Sequence, residues 1–230
     1  VQANVDAVLE HGRYVMGPEI RDLEALLADY AGRKHAVACG SGTDALMMSL
    51  MALGVGPGDA VFTTPFTFMA TAETICLVGA TPVFVDVDPA TCNMDPAQLR
   101  RAVEALVEKD EEIHPLPRGY RELTPRGIIA VDLFGLPADY DAIEAVAEDF
   151  SLFLLGDAAQ SFGATYKGAP VLSKTAVSST SFFPAKPLGA YGDAGMCFTD
   201  DERLHELLLS IRIHGRSEEH TSELQSLLII

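Results

Sequence analysis

Ser181–Gly189 reads SFFPAKPLG, and Gly192, Asp193 and Gly195 follow within a few residues. A single lysine, Lys186, stands in this short run of β-type residues, between Pro184 and Pro187 and just ahead of the glycines. Lysine is long, flexible and normally solvated. Set in so apolar and rigid a segment it is expected to be desolvated, which frees its amine to form a Schiff base. Upstream, FLLGDAAQSFGA (Phe153–Ala164) reads as a buried strand that ends in Asp157, with Gln160 just beyond. An amine for a Schiff base and a carboxylate for a pyridinium nitrogen are what pyridoxal phosphate demands of its protein. The pair predicts a cofactor site at the C-terminal end of a strand, where open α/β sheets bind their ligands.

The rest of the chain alternates short β-rich runs with amphipathic stretches, the pattern of an α/β sheet with helices on its faces. His35–Gly40 (HAVACG) reads as a strand and Thr43–Leu53 as a helix, with a turn over Gly54–Asp59 and a second strand, AVFTTP. FMATAETICLVG is a helix ending in Gly79, and TPVFVDVD a third strand. Pro96–Glu108 is a helix opened by Asp95 as N-cap. Arg126–Gly135 (RGIIAVDLFG) is the next strand, Asp139 opens the helix carrying Ile143 and Val146, and SLFLLGD is a strand again. Residues 175–183 and 194–199 add two more strands, and Asp201–Arg212 a last helix. The expectation is about seven strands in one domain, with Lys109–Pro125 as an exposed loop.

With 230 residues and 48% apolar content the chain has enough material for a substantial core. A net charge of −17 argues against a nucleic-acid binder and against attraction to anionic membranes. The most apolar region, Val61–Val85, is interrupted by Pro65, Gly79 and Pro82 and carries Glu73, so it reads as a core helix between two strands and not a membrane span. Cys39, Cys76, Cys92 and Cys197 have no ligand-like spacing and are expected to be reduced and mostly buried. The histidines are scattered, His35 and His114 reading as surface or loop residues, and no metal site is expected. No signal peptide is visible at Val1, and a cytoplasmic location is expected.

Other residues join the pair. Cys39–Leu46 (CGSGTDAL) is a strand, a glycine turn and a helix start, so its N–H groups and the hydroxyls of Ser41 and Thr43 would cradle a phosphate. Alternatively Thr43 merely caps the helix. Phe66 and Phe68 stand where a strand turns into a helix, placed either to stack on a flat ring or to fill the core. Gln160 either hydrogen-bonds a ring hydroxyl or closes a capping box with Asp157, itself a possible N-cap. Ser181 is either a phosphate ligand or a solvated strand-end serine.

The motifs GSGTDAL, FTFMATAE, GDAAQSFGA and above all SFFPAKPLGAYGDAG resemble the DegT-type family of nucleotide-sugar aminotransferases, and Arg13–Thr43 also reads like the start of their cofactor domain. The resemblance runs from Val1 to Arg216; Gly156 stands where members carry an acidic residue. It implies a fold-type I large domain, a mostly parallel sheet in an α/β/α sandwich. It divides the chain into a pyridoxal phosphate-binding domain over residues 1–216, slightly short at its N-terminus, and a non-native tail over 217–230, with the small C-terminal domain absent. It makes Lys186 the catalytic lysine and proton shuttle, pairs Asp157 with the pyridinium nitrogen and Gln160 with the ring hydroxyl, stacks Phe68 on the ring, and gives the phosphate to Gly42, Thr43 and Ser181. The implied reaction is amino transfer from L-glutamate to a nucleotide-linked keto-sugar, a UDP-linked 3-oxo sugar for cell-surface polysaccharide, by a homodimer. Two alternatives stand beside it. One is a non-catalytic, cofactor-binding fragment or regulatory relative. The other is a dehydratase of the same family, although those generally replace the lysine by histidine.

Overall fold

The computed structural model describes residues 1–215. The tail expected over 217–230 lies outside them. The chain runs α1 (Gln2–His11), α2 (Pro18–Ala31), β1 (His35–Cys39), α3 (Gly42–Ala52), β2 (Asp59–Thr63), α4 (Met69–Leu77), β3 (Thr81–Phe84), α5 (Pro96–Glu108), β4 (Thr124–Val131), α6 (Tyr140–Asp149), β5 (Phe153–Asp157), β6 (Thr165–Tyr166), β7 (Ala169–Pro170), β8 (Val177–Ser181), β9 (Gly195–Thr199) and α7 (Glu202–Arg212).

Helix starts follow side-chain chemistry. Asp95 accepts from the N–H groups of Ala97 and Gln98, Asp139 from Ala142 and Asp201 from Leu204, each satisfying donors that the first turn leaves free. Pro18 and Pro96 occupy the first helical position, where a missing N–H is harmless.

The main sheet has the order β1-β9-β8-β5-β4-β2-β3, as the reading of about seven strands expected, and the short hairpin β6-β7 stands apart. Neighbours from β3 through β2, β4 and β5 to β8 are parallel, while β9 runs antiparallel to both β8 and β1. Side chains alternate between two cores. Ala36, Phe62, Ile128, Leu154 and Phe198 face one core with α2, α5 and α6. Val37, Val61, Ile129, Leu155 and Cys197 face the other with α3, α4 and α7. The period of two on strands buried on both faces explains why these runs read as continuously apolar.

Some expectations are corrected. The third strand stops at Phe84 instead of Asp88, and only a lone bridge between Val87 and Met94 continues it. The fourth strand ends at Val131, because Asp132 turns the chain into a 3-10 turn over Leu133–Gly135. The 109–125 segment is not a simple exposed loop: Tyr120 is buried against the core, and the Lys109 amine donates to the carbonyls of Tyr120 and Leu123. Of the cysteines only Cys197 is buried, and Cys76 is exposed on α4. Among the described residues no helix is long and apolar enough to cross a membrane.

Candidate active site

The site lies where the parallel strands end. Beyond β1 the chain turns through Gly40 and Ser41 into α3, and the Ser41 hydroxyl accepts the Asp44 N–H at 3.0 Å. The cap is therefore Ser41, not Thr43, and it takes the Asp44 N–H, leaving those of Gly42 and Thr43 to a ligand. Backbones press together here. A Cβ on Gly42 would stand 2.5 Å from the Ser181 Cβ, and one on Gly195 2.2 Å from the Ser41 carbonyl oxygen. Ser181 is buried at the end of β8, so it is not a solvated strand-end serine, and its hydroxyl accepts the Phe183 N–H. A helix N-terminus, two glycines and a buried hydroxyl make a tight concavity rich in hydrogen-bond donors, suited to a phosphate.

Asp157 ends β5 with only 5% of its surface exposed. Its carboxylate accepts from the Thr71 hydroxyl at 2.8 Å and from the Ala159 N–H at 3.2 Å. Burial pushes its carboxyl above the usual range, opposed by those two bonds and by the positive charge of Lys186. Gln160 closes no capping box. Its side-chain oxygen accepts the Phe134 N–H at 2.7 Å, which leaves the amide N–H groups as what Gln160 can offer a ligand. Phe134 itself is held at φ 56°, unusual for a residue with a side chain.

Lys186 is half-buried on the loop between β8 and β9. The loop folds on itself through bonds from Lys186 N to Phe183 O (2.8 Å) and from Ala190 N to Phe182 O (2.7 Å). Its apolar setting is corrected in one respect: Phe183, Leu188 and Tyr191 are exposed, and of these only Phe183 lines the cavity beside the lysine. Phe68 and Phe66 are exposed, not core. Phe68 precedes α4 at the cavity wall, and Phe66 meets the edge of Phe134 at 6.2 Å.

The seven residues to which the resemblance gives a role (Gly42, Thr43, Phe68, Asp157, Gln160, Ser181 and Lys186) line one cavity of about 1020 Å³, with Ser41 but without Phe66. They come from a helix start, a helix approach, two strand ends and two loops. The donor set suits pyridoxal phosphate: a concave anion seat, a buried carboxylate, an amide donor and a primary amine face one volume.

Sequence reasoning missed Thr71, Phe134, Asp193 and Asp132. The first three line the cavity. Thr71 was legible only as part of a helical run, because its partner Asp157 is distant in sequence. Asp132 is wholly buried beside the strand end of Asp157, and burial pushes its carboxyl up to about 6. As pH rises from the ordinary carboxylate value towards 6, the folded chain retains a proton that the unfolded chain has lost. Stability therefore falls across that window and is level above it, and the raised Asp157 adds to the same slope. Asp132→Asn is expected to flatten the decline and to stabilise the chain at pH 7 by up to about 3 kcal/mol. Urea midpoints from pH 4 to 7 check this; an unchanged slope in the variant would discard it.

A second cluster forms at the opposite end of β1. His35, which is half-buried in the strand and not in a loop, lies 2.9 Å from the Glu202 carboxylate and stacks on His205 at 4.0 Å and 9°. One ligand atom from each of His35, Glu202 and His205 lies within 4.8 Å of the others, a grouping of the kind that could hold a metal ion and that the scattered histidines of the sequence did not suggest.

A mostly parallel sheet between two helical layers, with a lysine and a buried aspartate converging past its strand ends, defines the large domain of fold-type I pyridoxal phosphate aminotransferases. The chain belongs to the DegT/DnrJ/EryC1/StrS aminotransferase family, whose sequence profile matches residues 1–228. It is 46% identical over 222 residues to the UDP-2-acetamido-2-deoxy-3-oxo-D-glucuronate aminotransferase of Pseudomonas aeruginosa, covering 96% of this chain and 56% of that protein. It is 42% identical over 217 residues to the UDP-N-acetyl-3-dehydro-alpha-D-glucosamine 3-aminotransferase of Acidithiobacillus ferrooxidans, covering 94% and 53%. The crystal structure of a family aminotransferase from Brucella abortus superposes with a TM-score of 0.88 at 47% identity, covering 94% of this chain and 55% of that one. The chain thus spans about half the length of the relatives it matches.

Proposed function

We propose that this chain is the cofactor-binding part of an aminotransferase that moves an amino group from L-glutamate to a nucleotide-linked keto-sugar, a UDP-linked 3-oxo sugar, for cell-surface polysaccharide or amino-sugar synthesis. The observation that carries the reading is the convergence of the seven sequence-designated residues on one cavity. When bound, pyridoxal phosphate supplies an electron sink that stabilises negative charge at the carbon losing a proton. The N–H groups of Gly42 and Thr43 and the Ser181 hydroxyl hold the phosphate. Asp157 keeps a proton on the pyridine nitrogen, aided by its burial and by Thr71. Gln160, its oxygen committed to Phe134, donates its amide N–H to the ring oxygen. Phe68 covers one ring face. Lys186 would hold the cofactor through its amine and, once the amino donor's own amine has displaced it, the freed Nζ would take the donor's α-proton and pass it on. The sugar choice rests on the two UDP-sugar relatives. Exposed Phe66, Phe134, Phe183, Leu188 and Tyr191 favour a homodimer that covers this rim, in a cytoplasmic enzyme.

The same exposed rim favours the second reading, that the chain as it stands holds cofactor without transferring amino groups. Pyridoxal phosphate added to the purified chain is expected to give a visible band. ¹⁵N-glutamate with a panel of UDP-linked 3-oxo sugars then separates the readings. Labelled amino sugar means transfer, and a band without product means holding alone. A folded chain with no band would refute both.

A further inference from the structure

Asp132 has no part in the roles assigned so far, yet it is one of the most completely bonded side chains in the molecule. It follows β4 directly, and the register that pairs Val131 with Asp157 brings it beside the Asp157–Ser161 turn. Alternation along the strand sends Val131 and Asp157 towards the cavity and Asp132 to the other side of the sheet. There its Oδ1 accepts the Tyr140 hydroxyl and the Ala138 N–H, both at 2.9 Å, and its Oδ2 accepts the Ser161 hydroxyl at 2.7 Å. The contact is returned along the backbone. The Asp132 N–H donates to the Asp157 carbonyl at 3.1 Å, and the Phe134 N–H donates to the Gln160 side chain. Asn93 adds a bond from the far side, accepting the Leu133 N–H at 3.1 Å.

Two loops that leave neighbouring strands are thus clasped at three points, at Asp157, Gln160 and Ser161. The 157–161 segment forms no α-helix: a turn bond runs from Ser161 N to Ala158 O (3.2 Å), and bonds between Ala158 and Ser179 and Thr180 tie it to β8. The clasp is what ties it to the corner after β4. A carboxylate buried at 0% exposure is retained here in spite of its desolvation, where an apolar residue would pack without that penalty. The clasp also accounts for the left-handed Phe134, because the corner must turn sharply for its N–H to meet Gln160.

We propose that Asp132 is a positioning residue: through Ser161 it locks the Asp157–Ser161 turn to the Asp132–Gly135 corner and so sets the orientation of Asp157 and Gln160, the two groups that face the cofactor ring. The claim about the ring rests on the function proposed above, whereas the claim about the clasp concerns this chain alone.

Amide hydrogen exchange on the full chain without cofactor tests the clasp. In Asp132→Ala and Ser161→Ala the amides of Phe134 and of residues 157–161 are expected to exchange at least tenfold faster, with β8 and β9 unchanged. Asp132→Asn, which keeps an acceptor for Tyr140 and Ala138 and offers a donor to Ser161, is expected to restore the parental rates. If Asp132→Ala does not fold, Ser161→Ala decides, since it removes one bond of the clasp and leaves the helix side intact. Folded variants that exchange within twofold of the parent at these amides would overturn the proposal. A pyridoxal phosphate titration then tests the ring. A dissociation constant raised about tenfold in both variants, with Asp132→Asn at the parental value, is expected. Parental affinity in variants whose clasp has opened would overturn the link to the ring. A parent that itself binds no cofactor would remove that link together with the transaminase reading, while the exchange result still decides the clasp.

Discussion

Lys186→Ala is expected to abolish the visible band formed with pyridoxal phosphate and to lower amino transfer by roughly 10³- to 10⁴-fold. On the proposed function two roles would be lost at once, the covalent hold on the cofactor and the movable proton, and no other group among the described lining residues would replace them. Among the described residues the lining holds Asp157, Asp193, serines, threonines and Gln160, and its one primary amine is Lys186. Lys186→Arg separates chemistry from charge. Arginine keeps the positive charge near Asp157 yet forms no Schiff base, so it is expected to be as inactive as alanine. Lysines outside the cavity serve as controls. Lys167 pairs with Asp141 on the surface and Lys174 lies over the Tyr166 ring, and neither change is expected to alter the spectrum. Absorbance titration of the variants and a coupled assay of 2-oxoglutarate release give the comparison. A band that survives in Lys186→Ala would mean that the lysine has been misassigned.

Gly195→Ala is expected to have the second largest effect, on the fold and the anion seat together. An added Cβ would lie 2.2 Å from the Ser41 oxygen, 2.4 Å from its carbonyl carbon and 2.8 Å from the Gly42 nitrogen. All three are backbone atoms, so no side chain can swing away. Nor can β9 retreat, because Gly195 is paired with Cys39 on one side and Ser181 on the other. The turn that begins α3 must move instead, at about 3 kcal/mol of stability by analogy with other overpacked sites. The same displacement takes the Gly42 and Thr43 N–H groups out of line with Ser181, so pyridoxal phosphate affinity is expected to fall at least about tenfold. Gly192→Ala is the matched control. It lies on the neighbouring loop with open space where its Cβ would go, and a change within about 0.5 kcal/mol is expected. Chemical denaturation of both variants would settle it, and equal midpoints would refute the steric argument.

Much of this was readable along the chain, and the misreadings have a common origin. The helix starts at Asp95, Asp139 and Asp201 were legible because a cap acts on N–H groups two or three residues away. The lysine and aspartate were legible because their flanking residues are distinctive. The cap alternative for Thr43 failed because two neighbouring hydroxyls were in range of the same turn, and that for Gln160 because its partner is distant in sequence. Ser41 won the cap by geometry at the turn, and Gln160 was drawn to Phe134, which lies on a different strand end. Phe66 and Phe68 were open between core and cavity until the strand ends were assembled around them.

By itself, then, the sequence determined the alternation of strands and helices, the aspartate-capped helix starts and a set of candidate residues that line one cavity. These depend on capping, on period and on composition, which act over a few residues. The tertiary structure alone decided the strand order, with β9 reversed between β8 and β1, and the pairing of Thr71 with Asp157 across 86 positions. It alone made Asp132 a buried partner of Ser161 and Tyr140 instead of a strand-end acid in solvent. The reason is that a hydrogen bond or a desolvation penalty depends on distance in space, and only the packing of both sheet faces brings such distant residues within reach.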